Sequence, residues 1–193
     1  MRLVLATLLL AVLIGYAAGG SLGSLGKLKV RWAPAAVIGL AMQLAPLPGR
    51  VVPLVLLYGS FGLLGAFVLS NLRIVGFVLI AAGIVLNFTV IAINRGMPAT
   101  RQALVASGQL DTLTTLVEGG GAKHHLASSA DRLLFLGDAI AVRPIHQAVS
   151  AGDISTFMGV AWLIVAGMRR REDALEGEVP SNSYESEEVH AAR

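Results

Sequence analysis

Cysteine is absent from this sequence, and aspartate and glutamate are absent from its first 110 residues. Without cysteine the chain has no disulfides and no thiolate ligands or nucleophiles. All 12 acidic residues lie from Asp111 onward, seven of them after Arg171. Charges of both signs cover the surface of a soluble domain, whereas the interior of a lipid bilayer disfavours them. The charge distribution therefore places the first half of the chain in a membrane.

Charged residues make up only 14 % of the 193 residues, and hydrophobic residues make up 55 %. These proportions are typical of a small multi-pass membrane protein built as one helical bundle. The net charge of +3 does not indicate nucleic-acid binding, because the lysines and arginines are not clustered with aromatic residues. They lie mostly between apolar runs, where membrane topology accounts for them.

Five apolar segments approach the roughly 17–25 residues that a membrane-spanning helix needs. They are residues 3–20, 32–47, 51–71, 74–93 and 154–168, of which the second and the last are short. We predict an all-α fold, a polytopic bundle of about five transmembrane helices. Four of the helices fall within residues 1–93 and the fifth within residues 154–171. Residues 94–153 are predicted to form an extracytoplasmic cap of short interfacial helices, and residues 172–193 a disordered acidic cytoplasmic tail.

Basic residues indicate the orientation of the predicted bundle. Lys27, Lys29 and Arg31 follow the first predicted span, and three arginines at 169–171 follow the fifth. Because basic loops stay in the cytoplasm, the N-terminus and residues 94–153 are predicted outside and the C-terminus inside. The small residues at 17–19 also resemble a signal-peptide cleavage site, but cleavage would leave both basic clusters outside. The first span is therefore interpreted as a retained signal-anchor helix of a multi-pass cell-membrane protein.

The predicted spans have no ionisable side chain in their interiors, which argues against a pump or a proton-coupled carrier. They do contain small or polar residues at helical spacing, which let helix backbones approach closely. The residues predicted to pack helices in this way are Gly62, Ala66 and Ser70 on the third span and Gly76, Gly83 and Asn87 on the fourth. Packing within the bundle is preferred to a homodimer face, although a homo-oligomer stays open.

The outer segment carries several local signals. Gly96 permits a positive backbone angle after the fourth span. A short helix is predicted over residues 100–107, and Asp111 is predicted to cap the N-terminus of a second one. Residues 133–142 are apolar but too few to cross a bilayer, so an interfacial or re-entrant segment is expected there. Asp153 is expected to cap the last span.

Residues of this outer segment also carry a family resemblance. They are, in order, Asn94, Gly96, Met97 and Pro98, then Lys123 and His124, then Asp131, Arg132, Leu133, Leu136, Gly137 and Asp138, then Ser150, Gly152 and Asp153. The sequence resembles in this order the bacterial membrane family called domain of unknown function 5317, over nearly the whole chain up to Arg170. Family members tend to have glycine at position 95 and threonine at position 131. The resemblance implies a bacterial multi-pass membrane protein and supplies no activity or ligand.

Three hypotheses for the outer segment stay open, and the first is the site of a metal-dependent membrane hydrolase. Imidazole and carboxylate groups bind zinc, and a zinc-bound water can attack an ester. The candidate ligands are His124, His125 and His146, with Asp131 and Asp138 beside them. Adjacent histidines rarely bind one ion together, and the chain lacks the His-x-x-x-His spacing. No cofactor and no catalytic residue are therefore predicted.

The second hypothesis is a site for lipids or anionic head groups at the outer surface. Its donors would be Arg95, Arg101, Lys123, Arg132 and Arg143, assisted by Asn94. Ion pairs of Arg132 with Asp138 and of Lys123 with Asp131 would account for some of the same charges without any ligand.

The third hypothesis, which we prefer because it asks least of the residues, is a non-enzymatic accessory or interaction subunit. Its outer cap would dock a membrane or envelope protein, with membrane lipids and not nucleic acid as its surroundings. If the cap does bind a ligand, Asn94, His124, Arg132 and Asp138 are the residues predicted to form the site, since the family resemblance and the chemistry coincide there.

Overall fold

The structure, a computed structural model, describes residues 2–45, 49–119 and 121–170, and these residues are mostly helical. The helices are α1 (Arg2–Ala17), α2 (Leu22–Gly26), α3 (Ala33–Leu44), α4 (Val51–Leu69), α5 (Phe77–Asn94), α6 (Arg101–Ala106), α7 (Leu110–Val117) and α8 (Ala151–Met168). The strands are β1 (Met97–Ala99), β2 (His124–Leu126), β3 (Ile140–Val142) and β4 (Gln147–Val149). The predicted tail of residues 172–193 lies outside the described residues.

Three helices, α4, α5 and α8, are long and apolar enough to cross a membrane. They coincide with the third, fourth and fifth predicted spans. The first and second predicted spans correspond to α1 and α3, which are apolar but shorter, with 16 and 12 residues. Only 22–28 % of the residues in the three long helices are buried. Val51 in α4 and Val78 in α5, for example, are 75 % and 63 % exposed, so the outer surface of the bundle is apolar.

The five longest helices pack in the neighbour order α3, α4, α5, α8 and α1. Glycines bring α5 and α8 together at two levels. A Cβ atom added at Gly159 would lie 2.6 Å from the carbonyl oxygen of Gly76, and one added at Gly152 would lie 2.8 Å from that of Gly83. Any larger side chain there would push the two backbones apart.

The other predicted packing face, on α4, has different surroundings. A Cβ atom at Gly62 would meet no atom within 4 Å, and Ala66 is exposed. Ser70, the third member of that face, donates a hydrogen bond to the carbonyl of Ala66 in its own helix. The face of α4 formed by these residues points away from the neighbouring helices, whereas Gly76 and Gly83 point towards α8.

Both ends of α1 are tied to the rest of the fold. The backbone N–H of Leu3 donates to the side-chain oxygen of Gln147 at 3.1 Å, and that of Ser21 donates to the carbonyl of Met168 at 2.8 Å. Between these points, Ala11 packs on Ile164 and Met168. The start of α1 therefore lies at the same end of the bundle as the start of α8, and the two helices run in parallel.

Residues 95–119 and 121–150, which from here on we call the cap, cover the end of the bundle where α5 ends and α8 begins. The described residues are mostly helical, as predicted, but those of the cap also include four three-residue strands. Strand β1 pairs with β2 in parallel, with Met97 opposite His124, and β3 pairs with β4 antiparallel, with Ile140 opposite Val149. Three-residue strands whose partners are distant in sequence leave no periodic pattern, which is why the sequence did not predict the first pair.

Several local predictions for the cap can be compared with the structure. Helix α6 is confirmed, with Thr100 as its N-cap and Ser107 as its C-cap. The residue that caps α7 is Gln109, so the prediction that Asp111 caps it is wrong, and Asp111 lies in the first turn. Instead of a re-entrant segment, residues 133–142 form a 3₁₀ turn and strand β3. The capping role of Asp153 is confirmed by a capping box with Ser150.

Candidate functional site

A cavity of about 630 Å³ lies inside the cap, where the start of α1 meets helix α7 and strands β2 and β4. Its volume is within the range of small-molecule sites. The ionisable side chains that line it are Arg2, Asp111, His124, Asp138 and His146. Among the residues predicted for a binding site, His124 and Asp138 therefore face this space, whereas Asn94 and Arg132 are not among its lining residues.

His124 and Asp138 come together although 14 positions separate them in sequence. Strand β2 carries His124. The backbone of Asp138 lies opposite Ala99 of β1, because its N–H donates to the carbonyl of Pro98 and its carbonyl accepts from the N–H of Thr100. The imidazole Nε2 lies 3.6 Å from the carboxyl Oδ2. This is an electrostatic contact and is too long for a hydrogen bond. The two atoms can therefore move closer together, or both can hydrogen-bond to one ligand atom that lies beside them.

The protein around the pair favours the uncharged form of each member. Burial, with the nearby Asp153 carboxylate as a second cause, raises the pKa of Asp138 to about 8. The side chain of His124 is 52 % exposed. Even so, loss of hydration between the cavity walls lowers the pKa of His124, against an opposing effect of Asp153. Near neutral pH, Asp138 is thus a carboxylic acid that can donate a hydrogen bond, and His124 is a neutral imidazole that can accept one.

A polar network lies beneath the pair and joins the cap to the bundle. The side-chain amide of Asn87 in α5 donates to Asp153 Oδ1 at 2.8 Å, and its oxygen accepts from the hydroxyl of Ser150, also at 2.8 Å. The same Asp153 carboxylate accepts from the backbone N–H of Ser150. Asn87, predicted to pack helices, therefore binds the capping box of α8. The Asp153 charge that acts on Asp138 is held in place by this network.

The second histidine of β2 faces away from the first, because successive side chains of a strand point to opposite sides. His125 Nε2 lies 2.8 Å from Asp131 Oδ1, while Asp131 Oδ2 accepts from the backbone and hydroxyl of Ser128. Burial alone would raise the pKa of Asp131, but the hydrogen bonds of His125 and Ser128 outweigh it and hold that pKa below its usual range. The Nδ1 atom of His125 is buried without a hydrogen-bond partner. Asp131 thus serves to fix a turn and a histidine of the cap wall.

Asn94 and Arg132 also meet, but through the backbone of the arginine. The side-chain oxygen of Asn94 accepts from the N–H of Arg132 at 2.8 Å, and its amide donates to the Arg132 carbonyl at 2.9 Å. A further hydrogen bond joins this amide to the carbonyl of Val90. Asn94 therefore fastens residue 132 to the end of α5.

The residues of the metal and head-group hypotheses are spread over different parts of the cap. No three histidine, aspartate or glutamate side chains of the described ranges lie close enough to hold a metal ion. The ammonium group of Lys123 donates to the carbonyl of Gln43, near the end of α3, where a cation stabilises the helix terminus. The predicted ion pairs of Lys123 with Asp131 and Arg132 with Asp138 are wrong, since the two carboxylates contact His125 and His124.

Sequence reasoning missed several residues that line the cavity. Arg2 reaches it because α1 packs along α8, and Gln147 reaches it through the β3–β4 pair, next to His146, which the sequence had suggested as a candidate metal ligand. Gln109 spans α7 and β4, since its side-chain oxygen accepts hydrogen bonds from Ala148 and Ser107. The sequence around these residues does not indicate that they lie near the cavity, because their positions depend on how segments distant in sequence pack together.

The described residues define a mostly helical protein with three helices of membrane-spanning length and a half-open cavity between the cap and the start of α1. Residues 27–165 match the family described as "Family of unknown function (DUF5317)". Since this match covers more than half of the chain, the chain belongs to that family, and the resemblance seen in its motifs is confirmed. No curated protein and no solved structure matches the chain.

Proposed function

We propose that this chain is a multi-pass membrane protein that binds a small polar ligand in its cap cavity. The observation that carries the proposal is the cavity itself, with the His124–Asp138 pair and Arg2 in its walls. We further propose that all five long helices cross the membrane, with the cap and the start of α1 on the outer side. In this arrangement the protein is a binding protein, not an enzyme.

The exposed apolar surface supports the membrane placement. Exposure of this apolar surface to water would cost free energy, whereas lipid tails solvate it. The short helix α3 is assisted at its outer end, where the side chain of Gln43 donates to Ser60 of α4 and its backbone carbonyl accepts from Lys123 of the cap. These contacts satisfy polar groups that would otherwise face hydrocarbon. Because a 12-residue helix is only about 18 Å long, the bilayer would have to thin locally around α3 for it to cross.

The distribution of charge supports the orientation. At the end opposite the cap the chain has basic residues at positions 27, 29, 31, 73, 169 and 170. The acidic residues that the structure describes all lie in the cap or in the first turn of α8. The cap also has five lysines and arginines, but the positive-inside rule weighs basic clusters directly next to the ends of spans, and those at 27–31 and 169–170 support a cytoplasmic location for this end. Because α1 is tied to Gln147 and Met168 at its two ends, we propose that it stays with the mature protein as a signal anchor.

The chemistry of the cavity suggests the kind of ligand. Near neutral pH, the pair of His124 and Asp138 offers one hydrogen-bond donor and one acceptor without net charge, because of the pKa shifts of both groups. Arg2 adds a fixed cation on the wall. A small molecule with an acceptor for Arg2 and a hydroxyl or amide group for the pair would satisfy these groups.

The test is native mass spectrometry of the protein extracted gently from its own membrane. A discrete low-mass adduct is expected on the wild-type chain. Thr112→Trp should remove the adduct, since Thr112 lines the cavity and the indole would fill it. Thr115→Trp is the matched control, because Thr115 lies on the same helix, is exposed and is not a lining residue. A bare wild-type chain, or an adduct that survives Thr112→Trp, would contradict the proposal.

The same measurement addresses the docking hypothesis. An adduct with the mass of a second polypeptide would support an accessory subunit that docks a membrane or envelope protein through its cap. A second copy of the chain would instead indicate a homo-oligomer, for which the exposed face at Gly62 and Ala66 is the available small-residue surface.

A further inference from the structure

The end of the bundle opposite the cap presents a concentrated positive surface. Its exposed cations come from three parts of the chain and are Lys29, Arg31, Arg73, Arg169 and Arg170. None of the acidic residues within the described ranges lies at this end, since all of them belong to the cap or the first turn of α8. The surface therefore has no nearby described carboxylate to neutralise it.

One buried side chain holds the basic turn of residues 27–32 in place. Asn71, 3 % exposed, accepts from the N–H of Arg31 at 2.8 Å and donates to the Arg31 carbonyl at the same distance. Its amide also donates to the carbonyl of Phe67 in α4. Next to Arg31, Val30 packs among Val68 and Phe77. The turn is thus fixed at its backbone, and the side chains of Lys29 and Arg31 are exposed.

Exposed aromatic residues lie at the same level of the bundle. Trp32 follows Arg31 directly, is 62 % exposed and has a positive φ of 61°. This conformation is unusual for a bulky residue and is found here next to the Asn71 contact. Tyr16, in the last turn of α1, is 52 % exposed. Tryptophan and tyrosine collect at the level of lipid head groups, where their rings meet both hydrocarbon and water.

From this combination we infer that the turn of residues 27–32, with Arg73 and the end of α8, is a binding surface for the head groups of anionic phospholipids. Guanidinium groups bind phosphate through paired hydrogen bonds, and the indole of Trp32 sits in the head-group layer beside them. The surface is distinct from the cap cavity and lies at the other end of the bundle. The inference rests on the proposed membrane placement but not on any ligand in the cap.

Trp32 provides a local reporter for the test. The chain has two tryptophans, and Trp162→Phe leaves Trp32 as the single one, with little disturbance because Trp162 is 56 % exposed. The full-length variant would be reconstituted into vesicles of phosphatidylcholine and phosphatidylglycerol. In one series the phosphatidylglycerol carries bromine on its acyl chains, and in the other the phosphatidylcholine does. Bromine quenches a nearby indole, so the two series give the relative affinity of each lipid for the site at Trp32.

At low salt we expect the site at Trp32 to prefer phosphatidylglycerol over phosphatidylcholine about fivefold or more. A fivefold preference corresponds to about 1 kcal/mol, which is the attraction of a single cation to an anionic lipid surface. Arg31→Gln with Arg73→Gln should bring the preference down towards one. Arg101→Gln with Arg143→Gln, two cations of the cap, is the matched control and should leave it unchanged. Equal quenching by the two brominated lipids would overturn the inference and leave the membrane placement intact. Absence of quenching by either lipid would contradict the placement itself.

Discussion

Asn94 binds Arg132 through both polar groups of the arginine backbone, at 2.8 Å and 2.9 Å. At the other end of the bundle Asn71 binds Arg31 in the same way. In each case an asparagine at or just beyond the end of a long helix fixes a segment that is distant in sequence. An amide side chain is suited to this, because it offers an acceptor and a donor at the spacing of a peptide group.

The two contacts give a graded prediction for stability. Asn71→Ala should lower the free energy of unfolding by about 2–4 kcal/mol, because three hydrogen bonds of a buried amide are lost. Asn94→Ala should cost less, about 1–2 kcal/mol, since water can reach the Arg132 backbone. Chemical unfolding of the purified protein in detergent measures both. An Asn94→Ala loss equal to that of Asn71→Ala would show that exposure does not set the cost.

A second prediction concerns pH, through Asp138. Its pKa is raised in the folded state to about 8 from an ordinary 3.8, so the folded protein binds a proton that the unfolded chain has released. Stability therefore falls as pH rises through this window and stops falling above the folded pKa. His124 has a lowered pKa and acts in the opposite sense, but only below its ordinary value of 6.5. Between pH 6.5 and 8, Asp138 alone of these two groups contributes.

In that interval we expect the free energy of unfolding to fall by up to about 1.4 kcal/mol per pH unit. Asp138→Asn should abolish the fall, because an amide stays uncharged. Glu118→Gln removes an acidic charge from an exposed position of the cap that does not line the cavity, so the slope should persist in this control. Thermal and chemical unfolding followed across the interval provides the comparison. A slope that persists in Asp138→Asn would assign the effect to another group.

How much of this molecule its sequence predicts depends on the range of the interactions. Helices α4, α5 and α8 were predictable because a long apolar run is a local property, and so was the capping role of Asp153 at the start of α8. His124 and Asp138 were both predicted as candidate site residues, but their contact was not, because it depends on the pairing of β1 with β2. The place of Arg2 in the cavity wall depends on the packing of α1 against α8, for which the sequence has no local signal.

The glycines of the bundle lead to a third prediction, because the structure separates them into two groups. Gly83→Ala should destabilise the protein by about 1–3 kcal/mol or more, since the new methyl group would collide with the backbone of Gly152 and with Thr156. Gly62→Ala should be neutral or stabilising by up to about 1 kcal/mol, since alanine favours the helix and meets no atom there. Unfolding in detergent micelles compares the two. Destabilisation by Gly62→Ala would indicate that this face is covered, for example by a second copy of the chain.

A fourth prediction addresses the orientation and uses the absence of cysteine, because any cysteine introduced is the single one. In intact cells, a maleimide that cannot cross the membrane should label Ser129→Cys, at an exposed position of the cap. It should label Gly26→Cys only after permeabilisation, since residue 26 lies beside the basic turn and a Cβ atom there meets nothing within 4 Å. The reverse pattern would invert the proposed topology. Labelling of both sites in intact cells would mean that α1 does not separate the two ends of the bundle.

The last prediction concerns Arg95, which follows α5 in a left-handed conformation with a φ of 53°. For a residue with a Cβ atom this backbone conformation costs roughly 1–2 kcal/mol, whereas glycine adopts it freely. Arg95→Gly should therefore raise the free energy of unfolding by about 1 kcal/mol, after allowance for the greater freedom of glycine in the unfolded chain. Arg101→Gly is the control, because Arg101 is the first residue of α6 and is likewise exposed; it should lower stability by up to about 1 kcal/mol. Equal losses in both variants would show that the Arg95 side chain makes a stabilising contact that outweighs its backbone strain.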